Sequence, residues 1–205
     1  KVAEAAPYHI LKIKLGMGEK KDKAIMNAIR AETDTLIRVD ANEGWDLETG
    51  IKMCHWLSER NVEFVEQPFK STNLKDTATL RKQSPLPLVA DENSLNSSDI
   101  PGIHGIFDGI NIKLMKCGNL FEAQKMVTMA RKRDMTIMLG GMIESSVGIT
   151  AAAHLSPLVD YADLDGNLLI NNDPYTGVLV ENGKLVLPQR NGLGVSLNSD
   201  QNHLK

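Results

Sequence analysis

Cysteine is scarce in this chain of 205 residues: it has two, Cys54 and Cys117, and they lie at no spacing that metal ligands use. That excludes a disulfide framework and a cysteine-based zinc site, and it points to free thiols in a reducing compartment. Long apolar runs are lacking too. No stretch approaches the roughly 20 residues of a membrane helix, and the opening KVAEAAPYHI has no apolar core of the secretory kind. Neither sign of charge dominates. Twenty-three basic residues stand against twenty-six acidic ones, a formal charge of -3, with no block of like charge that would suit nucleic acid or a membrane surface. The expectation is a soluble cytoplasmic protein that meets neither of those partners.

A hydrophobic share of 42% is enough for a substantial core in one domain, or in one large part of one. Strand-like and helix-like segments alternate along the chain. HILKIKLG, LIRVDAN, VEFVEQPF, PLPLVADENS, GINIKLMKCG, TIMLGGMIES and VDYADLDGN read as strands, with helical periodicity between them. A helix beginning near Asp46 has that residue as its N-cap, and Pro101 limits the one in NSSDIPGIHG to a short piece. Seven strands separated by helices, about 25 residues apart, call for a parallel sheet with crossover helices. The strands are apolar nearly throughout, as when helices cover them. An open doubly wound sheet of the dinucleotide-binding type needs a glycine fingerprint after its first strand, and LGMGEK lacks that spacing.

Charged residues favour a closed barrel. Lys14, Asp40, Glu66, Asp91, Lys113, Glu144, Asp163 and Asp165 fall at the C-terminal ends of strand segments. In a barrel those ends converge on the face where barrels do chemistry. Asp40, Glu66 and Asp91 end three successive strands, 26 and 25 residues apart. Three neighbouring carboxylates repel one another unless a cation joins them. Hard oxygen ligands select magnesium or manganese over zinc. Glu92 and Asn93 lie close enough in sequence to support the ligands.

Lys12 and Lys14 are two apart in the first strand and therefore share a face. Alone, such a pair is an ordinary solvated face, with Ile10, Leu11, Ile13 and Leu15 on the buried side. With Lys113 one strand beyond Asp91, lysines flank the acids on both sides. Two bases across a metal-bound carboxylate can take a proton from one face of an alpha carbon and return one to the other, which is racemisation or epimerisation.

The motifs KIKLG, VDAN, VEQP, ADEN, NIKLMKCG and DLDGN, in this order, resemble the enolase superfamily and its muconate-lactonising subgroup. NIKLMK, GGMIESSVG and Asp163-Leu164-Asp165 resemble the dipeptide epimerases of the Ala-Glu type, and the likeness runs from about Tyr8 to Leu197. The resemblance implies a (β/α)7β TIM-like barrel in residues 1–170, here without the N-terminal capping domain and the first barrel strand. It implies a C-terminal segment, residues 171–205, that packs back on that cap. It further implies one Mg2+ per active site (or Mn2+) on Asp40, Glu66 and Asp91, with Lys14 and Lys113 as acid/base pair. Lys12 would stabilise an enediolate oxygen, Asp163 and Asp165 would hold the alpha-ammonium of a dipeptide, and Met142 and Glu144 would line the substrate site. The implied partners are a dipeptide substrate and the capping segment of the same polypeptide, and a homo-oligomer is compatible with them. A cycloisomerase or o-succinylbenzoate synthase would use the same metal and lysines, but the two aspartates would repel an anionic substrate without an amine. An inactive barrel fragment is the rival from outside enzymology.

Overall fold

The computed structural model describes Ala5 and residues 8–198. Most of the opening stretch, and the part of the 171–205 segment beyond residue 198, lie outside the described residues. The chain begins with β1 (Ile10–Lys14), α1 (Glu19–Arg30), β2 (Leu36–Asp40), α2 (Leu47–Ser58), β3 (Val62–Glu66), α3 (Leu74–Gln83) and β4 (Leu88–Ala90). It continues with α4 (Ile100–Ile103), β5 (Gly109–Ile112), α5 (Leu114–Cys117), α6 (Leu120–Arg131), β6 (Thr136–Gly140), α7 (Ser146–Ala153) and β7 (Tyr161–Asp163). The sheet order is sequential from β1 to β7. The pairings of β1 with β2, β2 with β3, β3 with β4, β4 with β5 and β6 with β7 are all parallel. This is the seven-strand β/α succession expected from the sequence. Among the described residues no helix is long and apolar enough to cross a membrane.

The contacts divide the chain into two compact units, Lys1–Ser94 with Asp99–Ile110, and Leu95–Ser98 with Asn111–Lys205. In the first, Ile37, Val39, Phe64, Val65 and Leu88 of the strands are buried together with Met53, Leu57 and Leu80 of the helices. Full burial of such side chains contributes roughly 1.5–3 kcal/mol each. Helix α2 lies close to its neighbours because residue 50 is glycine: a Cβ there would meet the Phe69 ring at 2.7 Å. Asp46 caps α2 as expected, accepting the Thr49 N–H at 2.8 Å, and Asn73 caps α3 through Asp76 at 3.4 Å. Of the apolar residues expected on the buried side of β1, Leu15 is buried and Ile10 is 37% exposed. Ile10 lies two residues before Lys12, so strand alternation puts it on the lysines' face and not on that of Leu15.

In the second unit, Ile112, Met126, Ala130, Ile137, Met138 and Ile149 are fully buried. Asn119 caps α6 by accepting the Glu122 N–H at 2.9 Å. Two strand segments are shorter than their patterns suggest. GINIKLMKCG reads as one strand, yet β5 stops at Ile112 and Leu114–Cys117 form a helical turn. That turn is closed by Gly118 in the left-handed region at φ +87°. VDYADLDGN likewise reads as one strand, but β7 ends at Asp163 and a 3-10 turn follows over Gly166–Leu169. The C-terminal part holds two small antiparallel pairs: β8 (Tyr175–Thr176) with β11 (Ser196–Leu197), and β9 (Leu179–Glu181) with β10 (Lys184–Val186). A turn at Asn182-Gly183 joins the latter pair, with φ +50° and +73°.

Candidate active site

Lateral pairing in the first unit lines up the ends of three strands. Lys14 pairs with Asp40, and Asp40 pairs with Glu66. Paired residues of a parallel sheet project to the same face, so these side chains meet. Asp91 follows β4 directly. One carboxylate oxygen from each of Asp40, Glu66 and Asp91 lies within 4.8 Å of the others, and all three residues are buried. The convergence expected from the spacing along the chain is present.

Both lysines of β1 reach this cluster, as their common face requires. The Lys12 ammonium is 2.8 Å from Glu66 Oε2 and 3.5 Å from Asp40 Oδ2. Lys14 Nζ lies 3.3 Å from the same Asp40 oxygen. Their surroundings differ: the Lys12 side chain is 19% exposed and that of Lys14 is 70% exposed. Burial pushes the Glu66 carboxyl above its ordinary value; Lys12 opposes the rise, and Asp40 and Asp91 add to it. Burial likewise raises Glu92, with Asp91 as the next cause. Three desolvated carboxylates with hard oxygen donors, too close together to share one site comfortably as anions, form a set that fits a divalent cation such as Mg2+.

Nothing in the pattern of VDAN marks Asn42, yet it shapes this cluster. Its side-chain oxygen accepts from Lys14 Nζ at 3.1 Å, and its N–H donates to Asp40 Oδ1 at 3.0 Å. It does so at φ +44°, a conformation that asparagine tolerates better than most residues. Gln67, in VEQP, carries no sequence signal of its own and is wholly buried beside Glu66. Neither residue belongs to an apolar periodicity; the quoted motifs were the available signal. Behind Lys14, the loop after β1 lies against the loop after β2 so closely that a Cβ on Gly16 would overlap the Ala41 carbonyl, and one on Gly44 would overlap Gly16. The Gly16 and Met17 N–H groups donate to the buried Asp22 carboxylate, at 3.0 Å each.

The remaining expected residues belong to the second unit. Lys113 follows β5 and is buried; its carbonyl accepts the Lys116 and Cys117 N–H groups of α5. Asp163 closes β7, and its carbonyl accepts from Gly141 N at 3.0 Å. Asp165 lies beyond the strand, at the start of the 3-10 turn, where its carbonyl accepts from Leu168 N at 2.9 Å. The alternation argument that paired Asp163 with Asp165 on one strand therefore stops at Asp163. Met142 and Glu144 sit together in the loop after β6, where Glu144 Oε1 accepts the Met142 N–H at 3.1 Å. A Cβ on Gly166 would overlap the Met142 carbonyl, so this loop and the turn after β7 touch through their backbones.

A family profile described as Enolase C-terminal domain-like matches residues 1–201. The L-Ala-D/L-Glu epimerase of Bacteroides thetaiotaomicron is 48% identical over 192 residues, 93% of this chain and 50% of that protein. The hydrophobic dipeptide epimerase of Flavobacteria bacterium is 38% identical over 202 residues, 96% of this chain and 58% of that protein. Among solved structures, the dipeptide epimerase from Cytophaga hutchinsonii complexed with Mg and the dipeptide D-Ala-L-Val is similar at a TM-score of 0.90 and 30% identity. That likeness covers 98% of this chain and 58% of the other. The chain spans about half the length of the curated relatives it matches.

Proposed function

The chain belongs to the enolase C-terminal domain-like family, and on that premise we propose that it acts in a Mg2+-dependent dipeptide epimerase that inverts an alpha carbon by proton transfer between two lysines. The observation that carries this is the cluster of three buried carboxylates with two lysine ammonium groups beside it. The likeness to proteins named as dipeptide epimerases supports the substrate class.

Asp40, Glu66 and Asp91 would hold the cation, which when bound supplies positive charge where the substrate carboxylate gains negative charge. Lys14 and Lys113 carry protons: one removes the alpha proton and the other returns a proton to the opposite face. Lys12, less exposed than Lys14 and already against two carboxylates, stabilises the oxyanion by charge and does not move the proton. Asp163 and Asp165 offer acceptor oxygens to the alpha-ammonium, and Met142 and Glu144 contribute to the substrate site. Two free thiols, Cys54 and Cys117, support a reducing compartment such as the cytoplasm.

The test is a dipeptide library incubated with the full-length protein and Mg2+ in D2O, with alpha-proton exchange read by proton NMR. Wash-in of deuterium with formation of the second epimer is the expected result. Turnover of amine-free carboxylates alone would replace this reading with a cycloisomerase or dehydratase, and no exchange with any dipeptide would remove it.

A further inference from the structure

Glu66 is followed by a residue whose hydrogen bonds reach the loops after β2, β3 and β4, the three strands that end at the metal-ligand candidates. The Gln67 carbonyl accepts the Glu43 N–H at 2.8 Å, from the loop after Asp40. Its own N–H donates to Val89 of β4 at 2.9 Å. Its side-chain Oε1 accepts the N–H of Asp91 itself at 2.9 Å, and that of Asn93 at 3.4 Å. Nε2 donates to the Phe69 carbonyl at 2.9 Å and to Asn93 Oδ1 at 2.7 Å. A primary amide has two acceptor sites and two donor sites, and all four are engaged here. The neighbours also fix which way the amide faces, because two N–H groups meet its oxygen and two carbonyl oxygens meet its nitrogen.

The surroundings keep this arrangement in place. Gln67 is completely buried and holds φ +37°, a backbone conformation that a side-chain-bearing residue adopts only when its surroundings enforce it. Asn93 extends the network by donating to the Ser71 carbonyl at 2.9 Å, and the Ser71 N–H donates to Glu43 Oε1 at 2.6 Å. The ring returns to the loop after Asp40, from which it started.

We infer that Gln67 is the positioning residue of the metal centre: its amide fixes the backbone from which Asp91 presents its carboxylate, in register with Asp40 and Glu66. The inference rests on the metal reading proposed above. Its physical content is rigidity. Mg2+ demands near-ideal octahedral geometry at short distances, whereas Ca2+ accepts longer and irregular sets. A loosened Asp91 therefore weakens Mg2+ more than Ca2+.

The experiment measures metal binding without substrate, on the full-length protein. Mn2+ affinity is read by electron paramagnetic resonance of the free ion, and Mg2+ and Ca2+ affinities by competition. Gln67→Met keeps the length of the side chain and removes its hydrogen bonds. The expected result is a 10- to 100-fold rise in the Mn2+ Kd, with a fall in the preference for Mg2+ over Ca2+, in a protein that still unfolds cooperatively. Asn93→Ala, which removes one partner of the amide, is the second variant should Gln67→Met not fold, and it should shift both quantities in the same direction by less. An unchanged Kd, or a Kd that rises equally for Mg2+ and Ca2+, would overturn the inference by showing a merely structural role. If the wild-type protein binds none of these ions, the metal reading falls and takes this inference with it. If the wild type binds and the variants match it, this inference alone falls.

Discussion

The indole N–H of Trp45 donates to Asp22 Oδ2 at 2.8 Å, and both residues are buried. Trp45 lies in the loop after β2 and Asp22 in helix α1. Because Asp22 also accepts the Gly16 and Met17 N–H groups, one carboxylate pins the two loops that follow Lys14 and Asp40. Asp22→Ala leaves three donors without their acceptor and should lower stability by about 1–3 kcal/mol or more. Asp22→Asn, which keeps one acceptor oxygen, should cost less. Urea unfolding followed by tryptophan fluorescence checks both.

Gly16→Ala should be destabilising for two independent reasons. The added Cβ would overlap the Ala41 carbonyl, and φ at this position is +91°. Overpacking of this kind costs about 1–3 kcal/mol, and the left-handed backbone adds to it. A solvent-exposed control is Gly105→Ala, which shares the positive φ at +83° but has open space around its Cβ. The difference between the two denaturation midpoints isolates the clash.

Metal binding should appear as stability. At a Mg2+ concentration 100 times its Kd, a ligand that binds only the folded state adds about 2.7 kcal/mol. The wild-type melting temperature should rise with Mg2+ and return with EDTA. Glu66→Gln, which removes one of the three clustered carboxylates, should abolish the response. A Glu66→Gln protein stabilised by Mg2+ to the wild-type degree would count against the assigned site.

Isotope exchange separates the lysines. Lys14→Ala and Lys113→Ala should each lose net epimerisation, while each retains deuterium wash-in from the one epimer whose proton faces the surviving lysine. Lys12→Ala should slow exchange from both epimers alike, since its role is electrostatic. Proton NMR in D2O with each pure epimer and Mg2+ reads all three variants. Lys113→Ala that epimerises at the wild-type rate would falsify the two-base mechanism.

Burial pushes the Cys54 thiol up to about 11, with a hydrogen bond involving Ser84 opposing the rise. An unfolded thiol titrates at about 8.5. The folded value is the higher one, so the contribution of Cys54 to stability is fully present below about pH 8.5 and is lost as pH rises through about 11. Alkaline destabilisation should therefore be smaller in Cys54→Ala, measured as the difference in urea midpoint between about pH 8 and about pH 10, a step that enters the window from about 8.5 to about 11. In the folded wild type at neutral pH, a thiol reagent should modify the half-buried Cys117 and spare the buried Cys54.

The β/α succession was legible because most strands are apolar runs and the longer helices have an amphipathic period, patterns that burial imposes on sequence. The carboxylate cluster was legible for a related reason: every β/α unit returns the chain to the same end of the sheet, so acids 26 and 25 residues apart arrive together. What escaped lies in backbone that leaves no period. Asn42 and Gln67 take positive φ values within two residues of strand ends, and nothing in an apolar pattern marks them. Asp22 reads as one more polar residue in a charged helix, GEKKDKAIMNAIRAET, although it is completely buried. DLD alternates as a strand would, so Asp165 reads as part of one, while β7 ends at Asp163.

The count of charges in the cluster sets an order of events. Asp40, Glu66 and Asp91 outnumber Lys12 and Lys14 by one, so with every group ionised the cluster is a weak anion. One divalent cation reverses the sign. On the proposed function, the carboxylate end of a dipeptide would be repelled by these five groups before that reversal and attracted after it, so metal uptake should precede substrate binding. Salt screens both encounters, so rising ionic strength should slow the arrival of the cation and of the substrate together, while leaving the order in which they must come.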